Sequence, residues 1–194
     1  MNLSIIIPTM ANQKKYLMAC IESLVNSDVK DYEIIVAGNG EKQDNYPFNQ
    51  DWNIRCLHNW EQGQCMAVNA AAQIAKGQYL MISNDDMIYP TDWFSRLGRY
   101  WEKNKVWCPV LGEPVNGAPP FIVKDFSGFI EEFKKDQWEE FVKLYSKEDI
   151  VEEGFNMPII VHRDLWNTVG GYDINYDPWG SNSDSDLQAK FILA

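Results

Sequence analysis

Basic residues are scarce in this sequence: 17 lysines and arginines stand against 28 aspartates and glutamates, for a formal net charge of −11. Neutralising phosphates along a nucleic acid needs a basic face, so this balance argues against a nucleic-acid partner. It also means that a polyanionic ligand needs a metal to offset the field. Cysteine is sparse as well. Cys20, Cys56, Cys65 and Cys108 are scattered without a CxxC pair, which disfavours a disulfide framework or zinc site and predicts free thiols in a reducing cytosol. No run approaches the roughly 18 apolar residues that span a membrane. The opening "MNLSIIIPTM" has no basic segment and an early proline, so it is not read as a signal peptide. These absences describe a soluble, cytoplasmic chain with no transmembrane segment. Internal repeats, low-complexity tracts and linkers are also missing.

What is present is a globular composition, 45% apolar and 23% charged over 194 residues. That length suits one compact domain and is too short for two ordinary ones. "LSIIIPT" is a short continuous apolar run, as expected of a strand buried on both faces. Leu17, Cys20, Ile21 and Leu24 then recur at helical spacing. "YEIIVAGNG" reads as a second buried strand and "IRCLH" as a third. Residues 62–76 are alanine-rich and proline-free, and Gly77 is read as their C-cap. "QYLMIS" follows as a strand. The spacing predicts an α/β fold, a mostly parallel sheet flanked by helices in a single compact domain.

The second half predicts a helix from near Thr91, a strand in "VWCPVL", and a strongly amphipathic helix over 126–145 whose apolar face packs on the core. "MPIIV" is another strand, and "RDLWNTVGGYD" a short helix ending on glycines. "PWGSNSDSDLQAKFILA" is a loop entering a final helix. That helical pattern reaches residue 194 without a capping residue, so a natural C-terminus further on is expected.

In an open parallel sheet, ligands bind outside the carboxyl ends of the strands. Three such ends carry polar or glycine signals: Pro8-Thr9, Gly38-Asn39-Gly40 and Asn84-Asp85-Asp86. Adjacent carboxylates repel, and burying one unpaired is unfavourable. Either Asp85 and Asp86 open a turn in water, or a cation sits with them. Mg²⁺ or Mn²⁺, which takes carboxylate and phosphate oxygens together, suits a diphosphate at this edge.

Taken in order, "LSIIIPT", "YEIIVAGNG", "QGQCMAVNAAAQIAKGQYLMISNDD" and "VGGYDINYDPWGSNSDSDL" resemble the GT-A-fold, DXD-type, metal-dependent inverting glycosyltransferases of the family 2 kind. Within that resemblance "SNDD" matches the DXD motif, and "SDSDL" the Glu-Asp-x-Asp-Leu motif on the acceptor side. Residues 105–155 match only loosely. The resemblance implies a nucleotide-sugar-binding half over 1–90 and an acceptor-side half over 91–194. Pro8 and Thr9 would lie against the nucleotide, and Asn69 near the base or the sugar. Of the triplet that begins at Asn84, Asp85 would bind the ribose and Asp86 the metal, Mn²⁺ or Mg²⁺. Trp179 and Gly180 would line the acceptor or sugar pocket. Asp184 would be the general base, with Asp186 next in line; both are alternatively N-terminal charge stabilisers of a helix. His162, at the end of the "PIIV" strand, would add a metal ligand or serve as a hydrogen-bonded structural residue; His58 is read as structural.

The chain departs from the family pattern at three places. Gly38 stands where an Asp usually holds the base, leaving Asn39 as its substitute. Val68 replaces an arginine before the helix asparagine, and Ser183 replaces the Glu before the catalytic Asp. The expected function is transfer from a nucleoside-diphosphate sugar, UDP-linked by the resemblance, to a hydroxyl of a sugar, lipid or protein acceptor. The alternative is a sugar-nucleotide-binding protein with little or no transfer. A nucleotidyltransferase ranks last, because "PTMANQKK" has the lysines but not the glycines of a triphosphate loop.

Overall fold

All seven residues of β1 (Leu3–Thr9) are buried, because hydrogen-bonded strands flank it on both sides and helical elements cover both faces of the sheet. The structure is a computed structural model describing residues 2–40, 48–59, 61–113, 122–146, 154–178 and 180–194. After β1 come α1 (Lys14–Val25), β2 (Tyr32–Gly38), β3 (Ile54–Leu57), α2 (Gln64–Ile74) and β4 (Tyr79–Ile82). They are followed by α3 (Trp93–Leu97), β5 (Val106–Trp107), β6 (Gly112–Glu113), β7 (Ile122–Val123) and α4 (Lys135–Tyr145). The last elements are β8 (Ile159–His162), α5 (Arg163–Val169) and α6 (Ser183–Leu193).

Six strands form one sheet in the order β3-β2-β1-β4-β8-β5. The first four run parallel, and β8 lies antiparallel to both β4 and β5. A separate small ribbon pairs β6 with β7.

Continuous apolar strands supply two cores at once, since successive side chains point to opposite faces. Leu3, Ile5 and Ile7, with Ile34, Val36, Met81 and Ile160, pack against Leu17, Cys20, Ile21 and Leu24 of α1 and against Trp93. Ile6, Ile35, Ala37, Leu80, Ile82, Ile159 and Val161 pack on the other face against Cys65, Val68, Ala71 and Ala72 of α2, Trp166 and Leu187. Each fully buried aliphatic side chain contributes about 1.5–3 kcal/mol.

A buried polar cluster fastens the amino edge of the sheet. Ser4 Oγ donates to Glu33 at 2.7 Å, the Lys76 N–H donates at 2.6 Å, and Arg55 donates from Nε and Nη2 at 2.9 and 2.5 Å. Burial alone would raise the Glu33 pKa, but these donors outweigh it and hold the carboxyl below its ordinary range. Gly77 lies beside this cluster, with its N–H on Ser4 Oγ at 2.8 Å. A Cβ there would come within 2.6 Å of the Leu3 carbonyl carbon and closer still to the Ser4 nitrogen. The expected capping role is therefore corrected. The helix ends at Ile74 with an extended Ala75 as its cap, and Gly77 lets α2 return closely over β1.

The helix expected over 126–145 is shorter. Ser127 takes φ of 77°, a 3-10 turn covers Ile130–Glu132, and the helix itself begins at Lys135. Phe126 folds back onto Trp138 and Phe141, so its apparent place in the helical repeat arises from a tertiary contact.

Candidate active site at the carboxyl edge of the sheet

The ends of β1, β2 and β4 converge, because the parallel register sets Thr9 beside Gly38 and Ile6 beside Ile82. Pro8 is buried opposite Ala37. The ladder to β4 has already ended at Ile6, so the missing Pro8 N–H falls where β1 is paired on one side alone. Thr9 Oγ1 donates to Asp85 Oδ2 at 2.5 Å and accepts the Ala11 N–H at 3.0 Å. Asp85 is half-buried while Asp86 is exposed. Burial raises the Asp85 pKa, the Thr9 hydrogen bond opposes this, and the neighbouring Asp86 charge adds to the rise. The two carboxylates therefore divide their environments, one tethered at the strand ends and the other in water.

The turn that carries them is anchored from beneath. Ser83 Oγ donates to the Asn84 carbonyl at 2.8 Å and shares a 2.6 Å hydrogen bond with Tyr89 Oη. The Cys20 thiol reaches the same carbonyl at 3.6 Å. Burial pushes this thiol up to about 12, so it stays neutral. Cys20, Ser83 and Tyr89 were not among the expected site residues; a serine before the acidic triplet and a tyrosine after it are the signals in the sequence.

Asn39 and Asp177 close the start of α2. Asn39 Oδ1 accepts the Gly63 N–H at 2.7 Å, and Asp177 accepts the Cys65 and Met66 N–H groups, each at 3.0 Å. These are donors that a helix start leaves without intrahelical partners. Asp177 was also missed; its mark is an acid ahead of the sequence Pro-Trp-Gly.

Asn69 and Asp184 are linked through Tyr172. Asn69 Nδ2 donates to the Tyr172 carbonyl at 2.8 Å, and the Tyr172 N–H donates to Asn69 Oδ1 at 3.0 Å. The Tyr172 hydroxyl donates to Asp184 Oδ1 at 2.8 Å. Asp184 is exposed in the first turn of α6, and Asp186 pairs with Lys190 at 2.9 Å. Asp184 and Asn84 line one cleft of about 320 Å³ with Met87, Leu111, Phe155, Asn156 and Met157. Gly180 adopts φ of 65° shortly before this helix, and its carbonyl accepts the Ser183 N–H at 3.0 Å. Trp179 lies outside the described residues.

His162 is not brought to Asp86. Because β8 runs antiparallel to β4, His162 pairs with Tyr79 at the amino end of that strand, and Ile159 is the residue that pairs with Ile82 near the triplet. His162 is buried, its Nδ1 accepts the Asp164 N–H at 3.2 Å, and Tyr79 packs edge-on against its ring. Among the described residues, no three His, Cys, Asp or Glu side chains form a preassembled metal cage. The donor set at the edge is one exposed carboxylate, Asp86, beside the tethered Asp85. That set fits a hard cation completed by phosphate oxygens, as Mg²⁺ is commonly held. No helix among the described residues is long and apolar enough to cross a membrane.

Solved glycosyltransferase structures of the GT-A class share this architecture. S. aureus TarS 1-349 in complex with UDP-GlcNAc superposes with a TM-score of 0.65 at 14% identity, over 100% of this chain and 54% of that one. GalNAc-T7 with UDP, GalNAc and Mn²⁺ gives 0.69 at 15% identity, over 98% of this chain and 40% of that one. The "Uncharacterized glycosyltransferase EpsJ" of Bacillus subtilis (strain 168) is 29% identical over 108 residues, 53% of this chain and 31% of that protein. The chain thus spans about a third to a half of the length of these relatives. A family model described as glycosyl transferase family 2 matches residues 4–162, from β1 through the end of β8. With most of its length inside that match, and with a fold that agrees, the chain belongs to glycosyl transferase family 2.

Proposed function

We propose that this domain transfers a sugar from a UDP-sugar to an acceptor hydroxyl with inversion. The observation that carries the reading is that Asp184 and Asn84, 100 positions apart in the chain, line one cleft at the carboxyl edge of a family 2 domain. The UDP-GlcNAc on TarS and the UDP on GalNAc-T7 support a UDP-linked donor. Pro8, Thr9, Asn39 and Asp85 are the groups set at the strand ends for the nucleotide, with Asp85 for the ribose. Asn69 acts at the same edge through the backbone of Tyr172, and Gly180 is the described residue proposed to border the sugar or acceptor, a role the resemblance also implies for Trp179.

Asp184 is assigned as the general base. An acceptor hydroxyl has a pKa far above neutral, so a carboxylate within hydrogen-bond reach takes its proton as attack proceeds. The acceptor oxygen bonds to the anomeric carbon, the bond from that carbon to the diphosphate oxygen breaks, and UDP leaves. Asp86 would hold Mn²⁺ or Mg²⁺, which when bound offsets the negative charge of the diphosphate.

Binding without turnover is the second reading. Val68 and Ser183 favour it: they are 0% and 2% exposed and bring no charge to the cleft. Release of UDP from a set of UDP-sugars, with and without Mn²⁺, separates the two. Asp184→Asn is expected to keep UDP affinity while transfer or hydrolysis falls about 10²- to 10⁴-fold. Near-normal turnover in that variant would remove Asp184 from the reaction, and saturable UDP binding without turnover in the parent would establish the second reading.

A further inference from the structure

Asp184 is exposed at the head of a helix, where a carboxylate ordinarily samples several rotamers. Here one of its oxygens is taken. Tyr172 is only 3% exposed, and its hydroxyl donates to Asp184 Oδ1 at 2.8 Å. A phenylalanine would fill the same volume, so packing does not require the hydroxyl.

The tyrosine is itself held from three sides. Asn69 uses both ends of its amide on the Tyr172 backbone, and the Trp166 ring meets the Tyr172 ring edge-on at 6.0 Å. Lys190 Nζ donates to the Gly171 carbonyl at 3.1 Å, tying α6 to the same turn. Gly171, at φ of 70°, makes the Asn69 contact possible, because a Cβ there would lie 2.5 Å from Asn69 Oδ1 and 2.9 Å from the Trp166 ring.

We propose that Tyr172 is the positioning residue for the base: fastened by Asn69, it holds Asp184 by Oδ1 and leaves Oδ2 to accept the proton of the acceptor hydroxyl. This inference rests on the transferase reading. Burial, then the charge of Asp184, raise the Tyr172 phenol above its ordinary value, so it remains a donor throughout the working range. Among the described residues, the other ionisable groups on this side include the Cys65 thiol and Asp177 at the start of α2, Tyr176 against the same core, and the Asp186–Lys190 pair on α6.

Donation to the charged form of a carboxylate favours that form. Tyr172→Phe should free Asp184 Oδ1, and kcat with a UDP-sugar should fall roughly tenfold with KM for the donor unchanged. In an Asp184→Asn background the same substitution should have no further effect on kcat. If Tyr172→Phe does not fold, Asn69→Ala, which loosens the tyrosine and leaves its hydroxyl in place, should give a smaller fall in kcat. A lowered melting temperature with kcat and KM both unchanged would reduce Tyr172 to a core residue and overturn the proposal. A parent protein that turns over no UDP-sugar would instead overturn the transferase reading, and the role of Tyr172 with it.

Discussion

Thr9 and Asp85, 76 positions apart in the chain, are joined by a 2.5 Å hydrogen bond from the Thr9 hydroxyl to Asp85 Oδ2. The bond ties the end of the central strand to the turn after its neighbour. It also separates the fates of two adjacent acids, holding Asp85 against the strand ends while Asp86 stays in solvent.

Asp85 is predicted to lower the stability of the ligand-free protein. Its folded-state pKa is raised, chiefly by burial, so the folded state holds its proton more tightly than the unfolded chain does. The resulting contribution favours folding at acid pH and is lost as pH rises from the ordinary carboxylate value through the raised one. At neutral pH, Asp85→Asn should raise the melting temperature of the free protein while weakening UDP binding roughly tenfold. A thermal-shift titration with UDP reads both, and a lower melting temperature without ligand would contradict the assignment.

Asp86→Asn should leave the free protein's stability nearly unchanged, since the side chain is exposed. If Asp86 holds the cation, UDP affinity should fall at least roughly tenfold and lose its response to EDTA. Calorimetric titration of UDP with and without Mn²⁺ makes the comparison. Equal affinity in the two conditions for the parent protein would count against a metal at Asp86.

Glu33 should behave in the opposite sense from Asp85. Its pKa is lowered because hydrogen bonds and the Arg55 charge overcome burial. Its contribution is present above the ordinary carboxylate value and is lost as pH falls through the lowered one. Glu33→Gln should destabilise by about 3 kcal/mol at neutral pH, with the difference from the parent shrinking in acid. Urea unfolding at several pH values would show this, and a pH-independent difference would exclude the linkage.

Gly77→Ala should destabilise by about 1–3 kcal/mol, as overpacking does, because the added methyl would meet the backbone of Leu3 and Ser4. Urea unfolding would measure it. A neutral result would mean that α2 can lift from β1 without loss.

The sheet and its carboxyl edge were legible in the sequence because local signals carry them. Buried parallel strands are short unbroken apolar runs, and the polar residues that end them mark the ligand side. Strand direction is a different matter. His162 follows an apolar run like those before it, but β8 enters from the far side, and nothing local in "MPIIVH" records that reversal. The Tyr172–Asp184 bond and the Asp177 cap on α2 likewise join residues that meet only after folding. Aromatic spacing over 126–145 misled for a related reason: Phe126 keeps the repeat, yet Ser127 and Gly128 break the helix before it starts.

The two hydrogen bonds that Asp177 accepts at the start of α2 have a consequence for anions. A phosphate arriving at that helix end meets a resident carboxylate and no free N–H pair, so Asp177 acts as a built-in competitor. On the proposed reading, with basic residues outnumbered by acidic ones, a divalent cation from solution would supply the charge for a diphosphate. Occupancy of the cleft should follow the divalent-ion content of the medium as closely as it follows the concentration of the ligand.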